Sequence, residues 1–456
     1  MDLLSKIISA TGPVKMIGKG FQSGCLVVVV LFSAVCGQMN HNKTVGCYFE
    51  NWSFYRPPPV KFDISSIDTD LCTHGIYIAA DIDDVSWTIF AADPWFDLDS
   101  TDCEPGYCNY NGYRRFTDLA DEDFIPILAL GGWPGSSAKF SAMAKDPIKR
   151  YTFVDSVIPF LKAYGFAGME VRWEYPGQGE GSHPDDQEYL VRLMDALKER
   201  FDAEDFMLML LVNVQANELE IGYDFPALSE SVDLFSLATY DFSYYSPDRN
   251  FTGHPSPMRS RVEEQDESHP GYLQNIYDGV RQVLDLGVSP EKILLGINGE
   301  GRGFTLEDSE SNGLYCPATD PIPAGPFTAI PGYWAYFEVL EAQSAEELPS
   351  LPEATPREWS IITDDCYQAP YMTNGPYWIG YEDVISVAIK ANFVNFAELG
   401  GVAFTSLDSD DFKGLYSKPY PLLTQINKQL SAGNEFDPET FECGSAPAPI
   451  CDIDAF

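Results

Sequence analysis

The stretch Phe166–Pro176 reads FAGMEVRWEYP, in which three charged residues alternate with apolar ones. Its apolar run Gly168–Trp173 predicts a short buried strand. Side chains alternate along a strand, so Glu170, Arg172 and Glu174 share one side of it. A guanidinium two residues from a carboxylate on the same side should pair with it. We therefore expect Arg172 to bind Glu174 or Glu170 and to hold that carboxylate ionised.

Seven similar apolar runs occur along the chain, and amphipathic helical segments lie between them. This alternation is typical of βα units around a parallel sheet. The eight candidate strands are Val45–Phe49, Cys72–Ala79, Ile125–Leu130, Gly168–Trp173, Phe206–Asn213, Leu234–Tyr240, Ile293–Ile297 and Gly401–Thr405. Eight such units predict an α/β fold, a closed (β/α)8 TIM barrel over residues 38–432, in which Arg172 faces the barrel interior.

Residues 1–37 have the composition of a secretion signal peptide. Lys6, Lys15 and Lys19 precede the apolar run Cys25–Val35, which is too short to span a bilayer. A signal anchor is the alternative, but no apolar stretch of about 20 residues occurs here or later in the chain. We therefore expect cleavage near Gly37, secretion, and no membrane partner.

The cysteine count agrees with export. Two of the ten cysteines lie in the predicted signal, so eight remain, an even number that suits an oxidising compartment. Two pairs are close enough in sequence to bond locally, Cys103 with Cys108 and Cys443 with Cys451. That pairing would leave Cys316 and Cys366, although spacing alone does not fix the connectivity.

Three sequons offer sites for N-linked glycans, at Asn42, Asn51 and Asn250. A sequon is an acceptor only if it is exposed. Asn51 lies in the predicted loop after the first strand and is the least favoured of the three. We therefore predict glycosylation at Asn42 and Asn250.

The formal net charge of −41 excludes nucleic acid and anionic membrane surfaces as partners. Removing the signal takes away one aspartate and three lysines, so the charge of the mature chain becomes −43. The acidic residues form clusters at Asp81–Asp84, Asp97–Glu104, Asp118–Asp123, Glu263–Glu267 and Asp408–Asp411. Two interpretations stay open, weak surface binding of calcium through carboxylate oxygens and a merely solvated acidic surface. The five histidines lack zinc-ligand spacing, so we expect no metal site and no cofactor.

Several separated blocks resemble, in the same order, the signature of family-18 glycoside hydrolases, the chitinases. The stretch Phe166–Pro176 resembles F-D-G-x-D-x-D-x-E-Y-P. The other matching blocks are Tyr48–Pro57, Ile127–Trp133 (ILALGGW), Leu237–Asp241 (LATYD), Leu295–Leu306 and Leu407–Phe412. The resemblance spans roughly Val45 to Leu430. It implies a small α+β insertion at about residues 303–381, between the seventh and eighth strands, and a disulfide between Cys47 and Cys72. Residues 433–456 would then form an acidic, proline-containing tail.

The resemblance also implies a chemistry. In this family the substrate's own N-acetyl group attacks the anomeric carbon, and the terminal glutamate of the signature protonates the leaving oxygen. Glu174 stands at that glutamate's position. The positions that line the family's sugar groove are matched by Tyr48, Trp52, Trp133, Tyr240, Asp241 and Arg302. Chitin or chitooligosaccharides are the implied partners.

Six positions depart from the family pattern: Ala167, Glu170, Arg172, Ala238, Glu300 and Thr405. Arg172 replaces the aspartate that orients the acetamide, and its charge would repel the cationic intermediate. Thr405 replaces the tryptophan on which the reacting sugar stacks, a large loss of apolar contact. The sequence therefore predicts a site that has kept part of its outer wall and lost its reacting groups.

We expect a secreted chitinase-like protein that binds chitin or a related N-acetylglucosamine polymer without efficient hydrolysis. Its acidity resembles that of the chitinase-like proteins of mollusc shell matrix, which implies calcium carbonate mineral or its matrix as a further partner. Two alternatives stay open. One is a weak chitinase that uses Glu174 as its proton donor, and the other is a structural or signalling matrix protein that binds no sugar.

Overall fold

A computed structural model describes residues 41–100, 109–132, 136–178, 181–215, 219–351, 353–355, 358–433 and 449–451. The strands in these ranges are β1 (Thr44–Glu50), β2 (His74–Ile82), β3 (Ile89–Ala91), β4 (Ile125–Gly131), β5 (Gly168–Arg172), β6 (Met207–Asn213), β7 (Leu234–Ala238), β8 (Ile293–Asn298), β9 (Glu300–Leu306), β10 (Ala318–Pro321), β11 (Tyr333–Ala335), β12 (Ser360–Asp364), β13 (Ala369–Asn374), β14 (Tyr377–Gly380) and β15 (Gly401–Thr405). The α-helices are α1 (Pro94–Asp97), α2 (Gly112–Thr117), α3 (Ser137–Lys145), α4 (Pro147–Tyr164), α5 (Asp186–Phe201), α6 (Leu219–Gly222), α7 (Phe225–Ser231), α8 (Ile276–Asp285), α9 (Tyr336–Ser344), α10 (Val384–Phe396) and α11 (Pro421–Ala432).

Eight parallel strands close into a barrel. Their order is β1, β15, β8, β7, β6, β5, β4, β2, and β2 pairs back onto β1. The short strand β3 adds an antiparallel edge to β2. Each of the eight predicted strands overlaps one strand of this barrel, so the predicted (β/α)8 fold is confirmed.

The barrel strands are apolar along most of their length because both of their faces are covered. Every residue of β8 is buried, and so is every residue of β5. Parallel strands packed inside a ring of helices are expected to read as continuous apolar runs. Because both faces of β5 are covered, its two charged residues, Glu170 and Arg172, are buried as well.

The long excursion between β8 and β15 contains a second sheet. Its strands are antiparallel, in the order β10, β9, β14, β13, β12, and β11 pairs with β9. Strand β9 begins two residues after β8 ends, so Glu300 and Arg302 stay close to the carboxyl end of the barrel. The pairing of Tyr333 with Arg302 brings a residue of β11 to the same place.

The disulfides agree with one prediction and correct another. Cys47 is bonded to Cys72, as the family resemblance implies. Cys451 is bonded to Cys316, so the predicted local pair of Cys451 with Cys443 is wrong. The cause is a short bridge of backbone hydrogen bonds between Leu314 and residues 449–451, which brings the two sulfur atoms together. Cys366 is also disulfide-bonded, whereas Cys103, Cys108 and Cys443 lie outside the described residues.

The cluster Asp408–Asp411 is not part of the acidic surface that the sequence predicted. Asp408, Asp410 and Asp411 are all buried. Asp411 accepts hydrogen bonds from the backbone N–H groups of residues 415, 416 and 417, and Asp410 accepts from residues 422 and 423 at the start of α11. These carboxylates hold the chain after β15, where helix and turn N–H groups need acceptors. Asp97 and Glu264 are buried as well.

No helix among the described residues combines the length and the apolar character needed to cross a membrane. The predicted signal, residues 1–37, lies outside the described residues. Of the predicted C-terminal tail, only Gly433 and residues 449–451 are described.

Candidate functional site

A cavity of about 280 Å³ opens at the carboxyl ends of the barrel strands. This is the end at which (β/α)8 enzymes place their active sites. Its wall contains the last residue of six barrel strands: Glu50, Arg172, Asn213, Ala238, Asn298 and Thr405. Further lining comes from Trp52, Ile78, Gly132, Glu174, Tyr175, Leu211, Gln215, Tyr240, Asp241, Glu300, Arg302 and Tyr333.

The floor of the cavity is formed by the end of β5 and by Glu174, two residues further on. The guanidinium of Arg172 lies between two carboxylates, with Nη1 3.8 Å from Oε2 of Glu170 and Nη2 3.5 Å from Oε1 of Glu174. Gly132 makes room for it, since a Cβ at that glycine would lie 2.8 Å from Nε of Arg172. Both distances to the carboxylates are long for hydrogen bonds, so these are loose ion pairs.

Beneath this floor the polar groups are more tightly connected. Tyr48 is fully buried and donates its hydroxyl to Oε1 of Glu170 at 2.8 Å. Burial raises the pKa of Glu170, and the charge of Arg172 works against that rise. Burial also works to lower the pKa of Arg172, but Tyr48, Glu174 and Glu170 together raise it above its ordinary value. Arg172 is therefore a permanent cation at the floor, with Nε and Nη1 making no hydrogen bond to a described residue.

The wall between β7 and β9 holds a second guanidinium in a different way. Arg302 is 2% exposed and grips Asp241 through two contacts, Nε to Oδ1 at 2.7 Å and Nη2 to Oδ2 at 3.0 Å. Its Nη1 is 3.2 Å from Oε2 of Glu300, and the ring of Tyr333 covers it with a centroid distance of 4.0 Å. The Nη2 contact is a charge-assisted hydrogen bond, and the short approach of Nε adds an ion pair to the same carboxylate.

The opposite side of the cavity, on β1 and β15, is acidic. Glu50 is 8% exposed and lines the cavity, and behind it Arg56 is paired with Asp408 at 2.6 Å. Burial raises the pKa of Glu50 well above its ordinary value, and the charges of Asp408 and Glu300 add to the rise. Burial likewise raises the pKa of Glu300, although Arg302 opposes it.

Sequence reasoning missed Glu50, Arg56, Asp408 and Tyr333 as members of this site. For Glu50 a signal was present, because alternation along β1 places it on the same side as Tyr48. The resemblance to the family points to the aromatic residues Tyr48 and Trp52 in this segment and not to Glu50. Asp408 was counted among surface acids.

Most of the predicted site residues meet in the cavity wall. These are Trp52, Glu174, Tyr240, Asp241 and Arg302, together with four of the positions expected to depart from the family pattern, Arg172, Ala238, Glu300 and Thr405. Tyr48 and Glu170 lie under the floor and do not line the cavity. Ala167 lies just before β5, where its backbone bonds to Pro126 and Met207. Trp133 lies outside the described residues.

No metal centre emerges from the described part of the chain. It contains no group of three or more His, Cys, Asp or Glu side chains that could hold a metal ion.

A (β/α)8 barrel with carboxylates lining the cavity at the carboxyl end of its strands is an architecture that glycoside hydrolases share. Residues 44–410 match the family described as Glycosyl hydrolases family 18, so the chain belongs to that family.

Its relatives include proteins named as chitinases and one described as a pseudo-chitinase. Mouse chitotriosidase-1 is 32% identical over 398 residues, which cover 85% of this chain and 78% of the relative. The Ostrinia furnacalis group IV chitinase, solved in complex with allosamidin, is 30% identical with a TM-score of 0.78, and the match covers 86% of this chain and all of that one. Human YKL-39 is 27% identical with a TM-score of 0.73, covering 85% and 99% of the two chains, and is described as a pseudo-chitinase with retained chitooligosaccharide binding properties.

Proposed function

We propose that this protein binds chitooligosaccharides in the barrel cavity without hydrolysing them efficiently. The observation that carries the proposal is the guanidinium of Arg172 lying between Glu170 and Glu174. The family's reaction needs a carboxylate at that position, to orient the N-acetyl group and to stabilise a positively charged intermediate. A cation there destabilises that intermediate, and catalysis depends on interactions that strengthen in the transition state.

Retained binding is supported by the cavity wall. Trp52 and Tyr240 supply aromatic surface, and Asn213, Gln215 and Asn298 supply amide groups that can donate to and accept from sugar hydroxyls. Sugar recognition needs this combination of apolar faces and fixed polar groups. The pseudo-chitinase YKL-39 is a precedent within the family for binding without the full reaction.

A weak hydrolase is the second candidate, because Glu174 still faces the cavity with 24% of its side chain exposed. Its ion pair with Arg172 is long enough for a substrate to separate the two groups. In that case Arg172 would have to turn away when the sugar enters.

Two measurements separate these candidates. A pull-down on insoluble chitin tests binding, and we expect the protein in the pellet fraction. Incubation with a chitin hexasaccharide, followed by mass spectrometry of the products, tests hydrolysis, and we expect none above a no-protein blank. Turnover that disappears in the Glu174→Gln variant would establish the weak hydrolase. Absence of the protein from the chitin pellet would favour the remaining alternative, a structural or signalling matrix protein that binds no sugar.

We also propose that the protein is secreted. The disulfides Cys47–Cys72 and Cys316–Cys451 suit an oxidising compartment. The sequons at Asn42 and Asn250 are exposed, whereas Asn51 is buried and donates to Asp97. N-terminal sequencing of native protein should begin near Gly37, and peptide mapping should find glycans at Asn42 and Asn250. An intact Met1 on extracellular material would contradict this proposal.

A place in a calcified extracellular matrix is the most specific form of the proposal. Its support is the net charge of −41, which leaves many carboxylates available to calcium at a mineral surface. Co-sedimentation with calcium carbonate crystals, with and without chitin present, tests it. If the protein stays in the supernatant under both conditions, it does not bind the mineral, and this part of the proposal is wrong.

A further inference from the structure

The charges that line the cavity do not balance. Four carboxylates and two guanidinium groups belong to its wall. Arg302 is occupied by Asp241, and Arg172 lies against Glu174. Once these pairs are set aside, Glu50 and Glu300 remain as the acidic groups with the least pairing, and both line the cavity.

Glu50 is the less compensated of the two. It is 8% exposed, and its carboxylate makes no hydrogen bond or ion pair with any residue in the described ranges. The nearby cation Arg56 is already bound to Asp408 at 2.6 Å. A buried carboxylate without a hydrogen-bonded partner is costly for a protein to maintain. Such a group facing a cavity is suited to a ligand that brings the missing positive charge.

Glu300 lies on the same side of the cavity as Glu50. The short side chain of Thr405, which lies between them, leaves room for a ligand. Strand β15 pairs with β1 on one side and with β8 on the other, so its last residue, Thr405, lies between the strands that lead to Glu50 and Glu300. Glu300 shares Arg302 with Asp241 and receives only one contact from it, at 3.2 Å. Two incompletely neutralised carboxylates therefore border one open space.

We propose that this side of the cavity recognises a protonated amine, so that the saccharide it prefers contains free glucosamine rather than only N-acetylglucosamine. The inference rests on the proposed function, since it takes the cavity to be the saccharide site. A de-N-acetylated unit presents an ammonium group that can donate to both carboxylates, whereas an acetamide brings no charge. Charge-assisted hydrogen bonds of this kind are about twice as strong as neutral ones.

The rest of the molecule favours the same ligand. Arg172 lies across the cavity on β5 and belongs to its wall, where its guanidinium can donate to hydroxyl oxygens of the same sugar. An acidic saccharide could use Arg172, but it would also meet Glu50, Glu174 and Glu300. The net charge of −41 attracts a polycation from a distance and repels a polyanion.

The test compares two ligands of equal length by isothermal titration calorimetry at pH 6.5, a pentamer of glucosamine and a pentamer of N-acetylglucosamine. We expect the glucosamine pentamer to bind at least about tenfold more tightly to the unmodified protein. Glu50→Gln and Glu300→Gln should each weaken it about tenfold and change the affinity for the acetylated pentamer by less than about twofold.

The matched control is Glu122→Gln, because Glu122 is exposed and lies outside the cavity wall. It should change neither affinity, and an effect equal to that of Glu50→Gln would reduce the preference to general surface charge and overturn the proposal. Competition by monomeric glucosamine against N-acetylglucosamine provides a measurement on the unmodified protein, independent of whether the variants fold. Tighter binding of the acetylated pentamer would overturn this inference and leave the proposed function intact. No binding of either pentamer would overturn both.

Discussion

Two arginines in one cavity show two ways of burying a cation. Arg302, in the wall, is held by Asp241 through contacts of 2.7 and 3.0 Å and is covered by the ring of Tyr333. Arg172, at the floor, lies 3.5 and 3.8 Å from its two carboxylates and makes a hydrogen bond to neither of them in the described structure. The arginine in the wall is therefore hydrogen-bonded to its carboxylates, whereas the arginine at the floor is held by longer ion pairs.

The difference follows from where each arginine stands in the sequence. Arg302 is one of the positions that match the family pattern, and its neighbours Asp241 and Tyr333 are placed to receive it. By the resemblance on which the proposed function rests, Arg172 stands where the family has a carboxylate, and its contacts with Glu170 and Glu174 are the longer ones.

The largest effect is expected from rebuilding the floor. Arg172→Asp alone should restore little hydrolysis, since Thr405 still leaves the reacting sugar without a platform. The combination with Glu170→Asp, Ala238→Met, Glu300→Tyr and Thr405→Trp should raise turnover of a chitin hexasaccharide at least about 100-fold above the blank, the range that a working general acid supplies. Adding Glu174→Gln should abolish that gain. Strong turnover by the unmodified protein would show that the floor is already catalytic.

Stability should separate the two arginines next. Arg302→Met leaves Asp241 and Glu300 without their partner, and we expect a loss of about 2–3 kcal/mol, somewhat below the usual figure because Asp241 is partly solvated. Arg172→Met should cost less, about 1–2 kcal/mol, because its ion pairs are long and Glu170, whose pKa burial already raises, can take up a proton and keep its bond from Tyr48. Urea unfolding monitored by tryptophan fluorescence measures both. Equal losses would mean that the floor is as well assembled as the wall.

A smaller effect should appear on the acidic side of the cavity as the pH changes. The pKa of Glu50 in the folded protein lies above its ordinary value of 4.5 because of burial and the neighbouring carboxylates. The unfolded chain therefore releases this proton at lower pH than the folded chain, and the protein loses stability as pH rises from about 4.5 toward the raised pKa. Glu50→Gln cannot ionise, so it should raise the melting temperature by about 1–2 °C at pH 8 and leave it unchanged at pH 4. The same gain at both pH values, or one shared by Glu122→Gln, would rule out this cause.

The smallest effect is expected at the surface. Calcium should raise the melting temperature by about 1 °C more than sodium at matched ionic strength, because divalent ions relieve the repulsion among exposed carboxylates. Differential scanning fluorimetry at both ionic conditions measures it. If the two salts act alike, the acidity is only a solvated surface.

The barrel could be predicted from the sequence because its information is local. Each strand is a short apolar run buried on both faces, and the run Gly401–Thr405 was predicted with the bounds that the structure gives to β15. The pairing of Arg172 with Glu170 and Glu174 was predictable for the same reason, since two-residue spacing along one strand fixes the side on which they meet.

What the sequence could not reveal depends on contacts between distant segments. Asp408 was interpreted as part of an acidic surface because runs of acids usually are, but Arg56 and the chain after β15 enclose it. Cys451 was paired with its nearest cysteine in sequence, whereas its backbone hydrogen bond to Leu314 brings it to Cys316. Tyr48 matches a position that lines the family's groove, yet in this protein it is covered by the floor.

The bond between Cys316 and Cys451 makes a covalent ring of the intervening chain. The ring spans a sequence separation of 135 residues and contains most of the antiparallel sheet, the last barrel strand β15 and helix α11. A single cut by a protease anywhere inside it would leave one connected molecule, with the barrel still closed by its final strand. Such a nicked protein should run as one band on a gel without reductant and as two after reduction, which suits a protein expected to persist among extracellular proteases.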